Sequence, residues 1–158
     1  MRTINRREFI KLTGAAALCT CAGAAGLCGC SNSGGASNIP AAPQGCYRRQ
    51  GDQVIVSLVV AGPLNPVGGA VRVTLGGGEE ADLRMVVVHA QAETYRAFAD
   101  CCTHNGKELD YLPEAQKLQC RSGQAQFDLD GKVLRGPAER ALRVYPTRRE
   151  GDQLLIAV

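Results

Sequence analysis

The chain has 158 residues, 45% of them hydrophobic, only 4% aromatic and none tryptophan. That length holds one domain, and 19 glycines with 7 prolines point to frequent turns, as in a small β-rich unit rather than a helical bundle. The formal net charge is +3, but setting aside Arg2, Arg6, Arg7, Lys11 and Glu8 leaves 14 basic and 14 acidic residues, and with no basic stripe interleaved with aromatics this excludes a nucleic-acid-binding module.

Residues 1–30 read as a targeting segment. Asn5-Arg6-Arg7-Glu8-Phe9-Ile10-Lys11 has the twin-arginine export pattern, and a weakly apolar Gly/Ala-rich run follows over 12–29. That route exports folded proteins and suits a domain whose cofactor is inserted before crossing. Leu27-Cys28-Gly29-Cys30 resembles a bacterial lipobox, with Cys30 as the lipidated residue and a membrane anchor as the result. Cleavage without lipidation and an uncleaved single span are the competing readings, since 12–29 is just long enough to cross. Residues 31–45, Ser/Gly/Ala-rich and then Pro-rich, read as a flexible linker. The folded domain is expected over 46–158, exported and facing the periplasm or cell exterior.

Within that domain short β-branched runs alternate with turn signals. Strands are predicted at 54–60, 70–75, 83–89, 95–99, 117–120, 125–128, 132–134 and 153–158. Gly62-Pro63, Gly76-Gly77-Gly78, Asp130-Gly131 and Gly151-Asp152 mark turns. No long segment carries a helical period. The expectation is an all-β domain of short antiparallel strands packed as a sandwich or barrel.

Four cysteines fall in this domain: Cys46, Cys101, Cys102 and Cys120. An exported domain can pair four as two disulfides. The spacing Cys102-Thr103-His104, followed by Asn105-Gly106, instead suggests metal ligands on a tight loop, with Cys120 as the next soft donor along the chain.

Here the sequence resembles the Rieske iron–sulfur family, whose signature is Cys-x-His, a spacer, then Cys-x-x-His-Gly-Ser and Gly-Pro-Ala. Ala97-Phe98-Ala99-Asp100 leads into Cys102-Thr103-His104-Asn105-Gly106, and Cys120, Phe127-Asp128, Gly131-Lys132-Val133, Gly136-Pro137-Ala138 and Gly151-Asp152-Gln153-Leu154 follow in order. The resemblance implies a β domain with two loops holding a [2Fe-2S] cluster, two thiolates on one iron and two imidazoles on the other. By position, Cys102 and Cys120 would hold the inner iron and His104 the outer. The fourth ligand position falls on Gly123, which has no side chain, and His89, the other histidine, reads as an ordinary strand-end residue.

Further departures concern the surroundings. The serine and tyrosine that donate hydrogen bonds to sulfur in high-potential members are Ala125 and Phe127 here. The cysteines of the disulfide between loops in respiratory members are Lys107 and Ser122. The resemblance implies electron transfer through a cluster of modified ligation, as a carrier or small subunit serving another redox protein or a membrane oxidoreductase. It implies no catalysis by this chain alone. The missing ligand leaves two other readings open. One is a cluster-free Rieske-like interaction domain of a redox complex, with Cys102 and Cys120 as a disulfide; the other is a mononuclear site of two cysteines and one histidine.

Overall fold

A computed structural model of the chain describes residues 37–76 and 83–158. The export segment, Cys30 and the tether over 31–36 lie outside the described residues. In chain order the strands are β1 (Tyr47–Gln50), β2 (Gln53–Ser57), β3 (Ala70–Leu75), β4 (Leu83–Gln91), β5 (Thr94–Ala99), β6 (Leu109–Leu112), β7 (Lys117–Cys120), β8 (Gln126–Asp128), β9 (Val133–Arg135), β10 (Val144–Tyr145), β11 (Thr147–Glu150) and β12 (Gln153–Ala157). They form three four-stranded sheets, ordered β1-β2-β12-β11, β10-β5-β4-β3 and β6-β7-β8-β9, and all pairings are antiparallel. The described residues contain no α-helix, as the all-β expectation requires.

The β10-β5-β4-β3 sheet is the central layer, and β4 explains why. Its side chains alternate between two cores. Met85 and Val87 pack with Val54, Val56, Leu154 and Ile156 of the β1-β2-β12-β11 sheet. Val86 and Val88 pack with Leu109, Leu118 and Phe127 of the β6-β7-β8-β9 sheet. A strand covered on both faces reads as an unbroken apolar run, which is what residues 85–88 are. Each such fully buried valine or leucine contributes roughly 1.5–3 kcal/mol.

Three expectations are corrected. The strand predicted at 54–60 ends at Ser57. There Ala61 N–H donates to Ser57 O, and the chain turns into a 3₁₀ helix at Gly62–Leu64 that buries Leu64 and leaves Val59 and Val60 exposed. The stretch predicted as the end of a flexible linker is fastened down from Ser37: Asn38 Nδ2 donates to Tyr111 O at 2.6 Å, Tyr111 N–H donates back to Asn38 Oδ1 at 3.0 Å, Ile39 is buried, and Ala41 bridges to Arg72. Four strands were not anticipated: β1, β6, β10 and β11. Both β1 (YRRQ) and β11 (TRRE) are polar edge strands, so they carry no apolar period to read.

Candidate metal centre

The β6-β7-β8-β9 sheet brings two loops to one end. Leu109, first in β6, pairs with Cys120, last in β7, so the loop entering β6 (101–108) and the loop leaving β7 (121–125) start from neighbouring positions. The first is closed by Cys102 N–H donating to Lys107 O at 2.7 Å and Gly106 N–H to Cys102 O at 2.8 Å. The second is closed by Cys120 N–H to Ala125 O at 2.9 Å and Gly123 N–H to Cys120 O at 2.6 Å. Gly106 and Gly123 take positive φ, +72° and +77°, the left-handed backbone that such tight turns need.

These turns bring Cys102 and Cys120 together. Both are free thiols, buried in the core shared with Phe98 and Phe127, and they lie close enough for each to bias the other's ionisation. Burial pushes the Cys102 thiol above its ordinary pKa, with the backbone N–H groups of His104 and Asn105 opposing. Burial also opposes ionisation of Cys120, but hydrogen bonds led by the Ser122 hydroxyl and backbone outweigh it, and the pKa lies below the ordinary thiol value. The Ser122 Oγ is 3.0 Å from Cys120 Sγ, and the Asn105 side-chain amide lies 3.4 Å from the same sulfur.

His104 is exposed on the first loop. It lines an open cleft with Cys101, Arg140 and Arg143. The structure therefore brings the two predicted thiols together but does not gather the imidazole with them: among the described residues no three His, Cys, Asp or Glu side chains converge as a metal-holding group. Gly123 is exposed at the crown of the second loop, where an added Cβ would meet only Gln119 Nε2, at 3.9 Å. Cys101 is exposed where Cys102 is buried, so the adjacent thiols face different sides. Cys46 is buried in the other core, among Val54, Val56 and Tyr145. His89 stacks on Tyr95 at 4.3 Å, with Nδ1 2.9 Å from Asn65 O. The disulfide pairing considered for the four cysteines is not formed: all four are free.

Sequence reading missed the groups that hold the loops. Asn105 Nδ2 donates to Ser122 Oγ at 3.3 Å, a direct tie between the loops. Lys107 N–H donates to Asn105 Oδ1 at 3.2 Å, fixing that amide. Below them Asp100, fully buried, accepts from Leu109 N–H at 2.8 Å and from Arg72 Nε at 2.5 Å. Glu108 pairs with Arg121 Nη1 at 2.8 Å and lies 3.7 Å from Arg72 Nη1, joining the roots of both loops. The only advance signal was the position of Asp100 just before the cysteines; Arg72 is 28 residues away in sequence.

Residues 61–146 match the family model for the Rieske [2Fe-2S] domain. The chain belongs to the Rieske family. Membership implies a [2Fe-2S] cluster and electron transfer. Relatives include cytochrome b6-f complex iron-sulfur subunit 1 of Nostoc, 31% identical over 84 residues that make up 52% of this chain and 47% of that protein. The corresponding subunit of Prochlorococcus marinus is 33% identical over 73 residues, 46% of this chain and 41% of that one. The chain thus spans less than half the length of these relatives. Among solved structures, the ferredoxin of carbazole 1,9a-dioxygenase from Nocardioides aromaticivorans superposes with a TM-score of 0.50 at 18% identity, covering 65% of this chain and 93% of that one, a likeness of fold alone.

The donor set fits such a cluster in part. Two buried thiols on facing loops suit the inner iron, and backbone N–H groups of His104 and Asn105 already point at the Cys102 sulfur. The Rieske loops here offer one imidazole, at His104, and none at 123.

Proposed function

We propose that this chain is a one-electron carrier, or the small redox subunit of a larger complex, that holds a Rieske-type [2Fe-2S] cluster through Cys102, Cys120 and His104. The single observation that carries this reading is the buried Cys102–Cys120 pair at the roots of two facing loops. When bound, the cluster supplies a site that accepts and releases one electron. The chain's own residues do the rest. Cys102 and Cys120 anchor the inner side, and the buried core around them excludes water. His104, exposed, marks the edge at which a partner approaches. Gly123 contributes no ligand, so the fourth position falls to water, to a neighbouring oxygen such as the Ser122 hydroxyl, or to a partner residue. With Ala125 and Phe127 unable to donate to sulfur, the reduced form loses support and the potential lies below that of high-potential members.

Residues 1–30 act in this proposal as a twin-arginine signal ending in lipidation of Cys30, which anchors the domain to the membrane facing the periplasm or cell exterior. The partner is another redox protein or a membrane oxidoreductase subunit, a role in keeping with the complex named for the b6-f relatives. The test compares full chains carrying Cys102→Ser, Cys120→Ser and Cys46→Ser after identical maturation. Loss of iron and acid-labile sulfide from the first two, with retention in the third, supports the reading. Equal metal content in all three sinks it.

A second reading is favoured by two observations: burial of both thiols in one core at adjoining loop roots and the lack of an imidazole at 123. It makes the chain a cluster-free interaction domain in which Cys102 and Cys120 oxidise to a disulfide. Intact mass before and after reduction separates the two, because the disulfide form is two hydrogens lighter and holds no iron.

A further inference from the structure

We infer that the Ser122 hydroxyl, aimed by Asn105, is the donor that holds negative charge on the Cys120 sulfur and so sets how readily the centre accepts its electron; this rests on the electron-carrier reading above. The positions that donate to sulfur in high-potential members are Ala125 and Phe127 here, and neither side chain has a proton to give. The second loop supplies a donor from another place. Gly123 N–H donates to Cys120 O at 2.6 Å, closing a four-residue turn over 120–123. That turn folds Ser122 back over Cys120, and its Oγ lies 3.0 Å from Cys120 Sγ. Cys120 is fully buried and Ser122 half-buried, so this bond is screened less than one in open solvent.

The direction of that bond follows from its neighbours. Lys107 N–H donates to Asn105 Oδ1 at 3.2 Å, which fixes the oxygen end of the amide. The nitrogen end then faces the second loop, and Asn105 Nδ2 donates to Ser122 Oγ at 3.3 Å. With its oxygen already accepting, Ser122 has its own hydrogen to give, and the Cys120 sulfur is the acceptor 3.0 Å away. In the thiol form Cys120 also donates to Asn105 Oδ1 at 3.4 Å; that proton leaves when the sulfur ligates metal, and the Ser122 bond remains. Asn105 is thus a positioning residue and Ser122 the donor. When a one-electron donor reduces the centre, negative charge rises on the sulfur and no proton moves. A hydrogen bond to a charged acceptor is about twice as strong as a neutral one, so the reduced form gains more from Ser122 than the oxidised form does. The same geometry takes Ser122 out of the fourth ligand position. Its oxygen sits against the sulfur assigned to the inner iron, and that position is left to water or a partner residue.

The experiment compares the full chain, in detergent, with Ser122→Ala, which removes the hydroxyl, and Ser122→Thr, which keeps it. After identical maturation with iron and sulfide, the midpoint potential is read by spectroscopic redox titration. Ser122→Ala should accept its electron about tenfold less readily, a potential about 59 mV more negative for a one-electron couple. Ser122→Thr should titrate with wild type. Equal potentials in wild type and Ser122→Ala overturn the proposal. So does Ser122→Thr as low as Ser122→Ala, because loop shape rather than the hydroxyl would then set the potential. A second readout does not need the cluster. Cobalt(II) alone, bound to stripped protein, gives a sulfur-to-metal charge-transfer band, which a hydrogen bond to the sulfur moves to higher energy. Ser122→Ala should shift that band to lower energy and Ser122→Thr should not; an unmoved band overturns the proposal. If Ser122→Ala loads no cluster, the cobalt band decides. A wild type that takes up cobalt but no iron and sulfide defeats the carrier reading and leaves the donor assignment to the band alone. A wild type that takes up neither defeats both.

Discussion

Replacing Gly123 with histidine restores the imidazole that the second loop lacks, and the structure sets its cost. Gly123 has φ +77°, and an L-residue there costs roughly 1–2 kcal/mol. Reduced backbone freedom in the unfolded chain returns about 0.4–1 kcal/mol. Space is not a constraint, since the nearest atom to an added Cβ is the flexible end of Gln119 at 3.9 Å. The expected net loss for the cluster-free protein is therefore about 1 kcal/mol, or roughly 4 °C in melting temperature for a domain of this size. Gly123→Ala carries the same backbone cost without a ligand, so the pair separates strain from coordination. Both variants are melted after metal is stripped, then matured with iron and sulfide and assayed for content. Gly123→His should hold more iron and sulfide than wild type and recover its lost stability on loading, whereas Gly123→Ala should do neither. A histidine variant that gains no iron, or an alanine variant as stable as wild type, would refute the reasoning.

Other outcomes follow from neighbouring contacts. Asp100→Asn turns an amide N–H toward Arg72 and leaves that guanidinium with Leu109 O at 2.8 Å and a single carboxylate, Glu108, at 3.7 Å; breaking a buried pair costs 3–5 kcal/mol, and with Arg72 12% exposed and still hydrogen-bonded the lower end applies, about 3 kcal/mol or roughly 12 °C by circular dichroism. Arg72→Leu/Asp100→Leu should recover part of that loss, because no charge is left unpaired. Ala125→Ser adds a donor where the family carries one and should raise the midpoint potential of the loaded protein in a redox titration. Cys30→Ser should release the domain from the membrane fraction, with retention pointing to an uncleaved span instead.

How much was legible depended on where the physics left a period or a motif. The unbroken apolar run at 85–88 announced a strand buried on both sides, and β4 is one. The polar strands β1 and β11 have one side chain in the core at most and were invisible to any hydrophobic count. The run at 54–60 is apolar except for Ser57, yet only the part up to that serine is strand, because exposure of Val59 and Val60 at a turn does not show in composition. At the site, Cys102 and Cys120 were found from spacing and resemblance, and the fold sets them side by side. The ties that substitute for an inter-loop disulfide were not found. Asn105 and Ser122 are 17 residues apart and Arg72 and Asp100 are 28 apart, and nothing local marks such pairs as partners.

The central claim is that a domain with two thiolates and one imidazole still holds a [2Fe-2S] cluster. It is tested most directly by iron and acid-labile sulfide on the full chain matured through its own export route, with electron paramagnetic resonance after reduction. Equal iron and sulfide, two of each per chain, with a Rieske-like signal is the predicted result. Metal-free protein carrying a Cys102–Cys120 disulfide, or one zinc per chain, would contradict it.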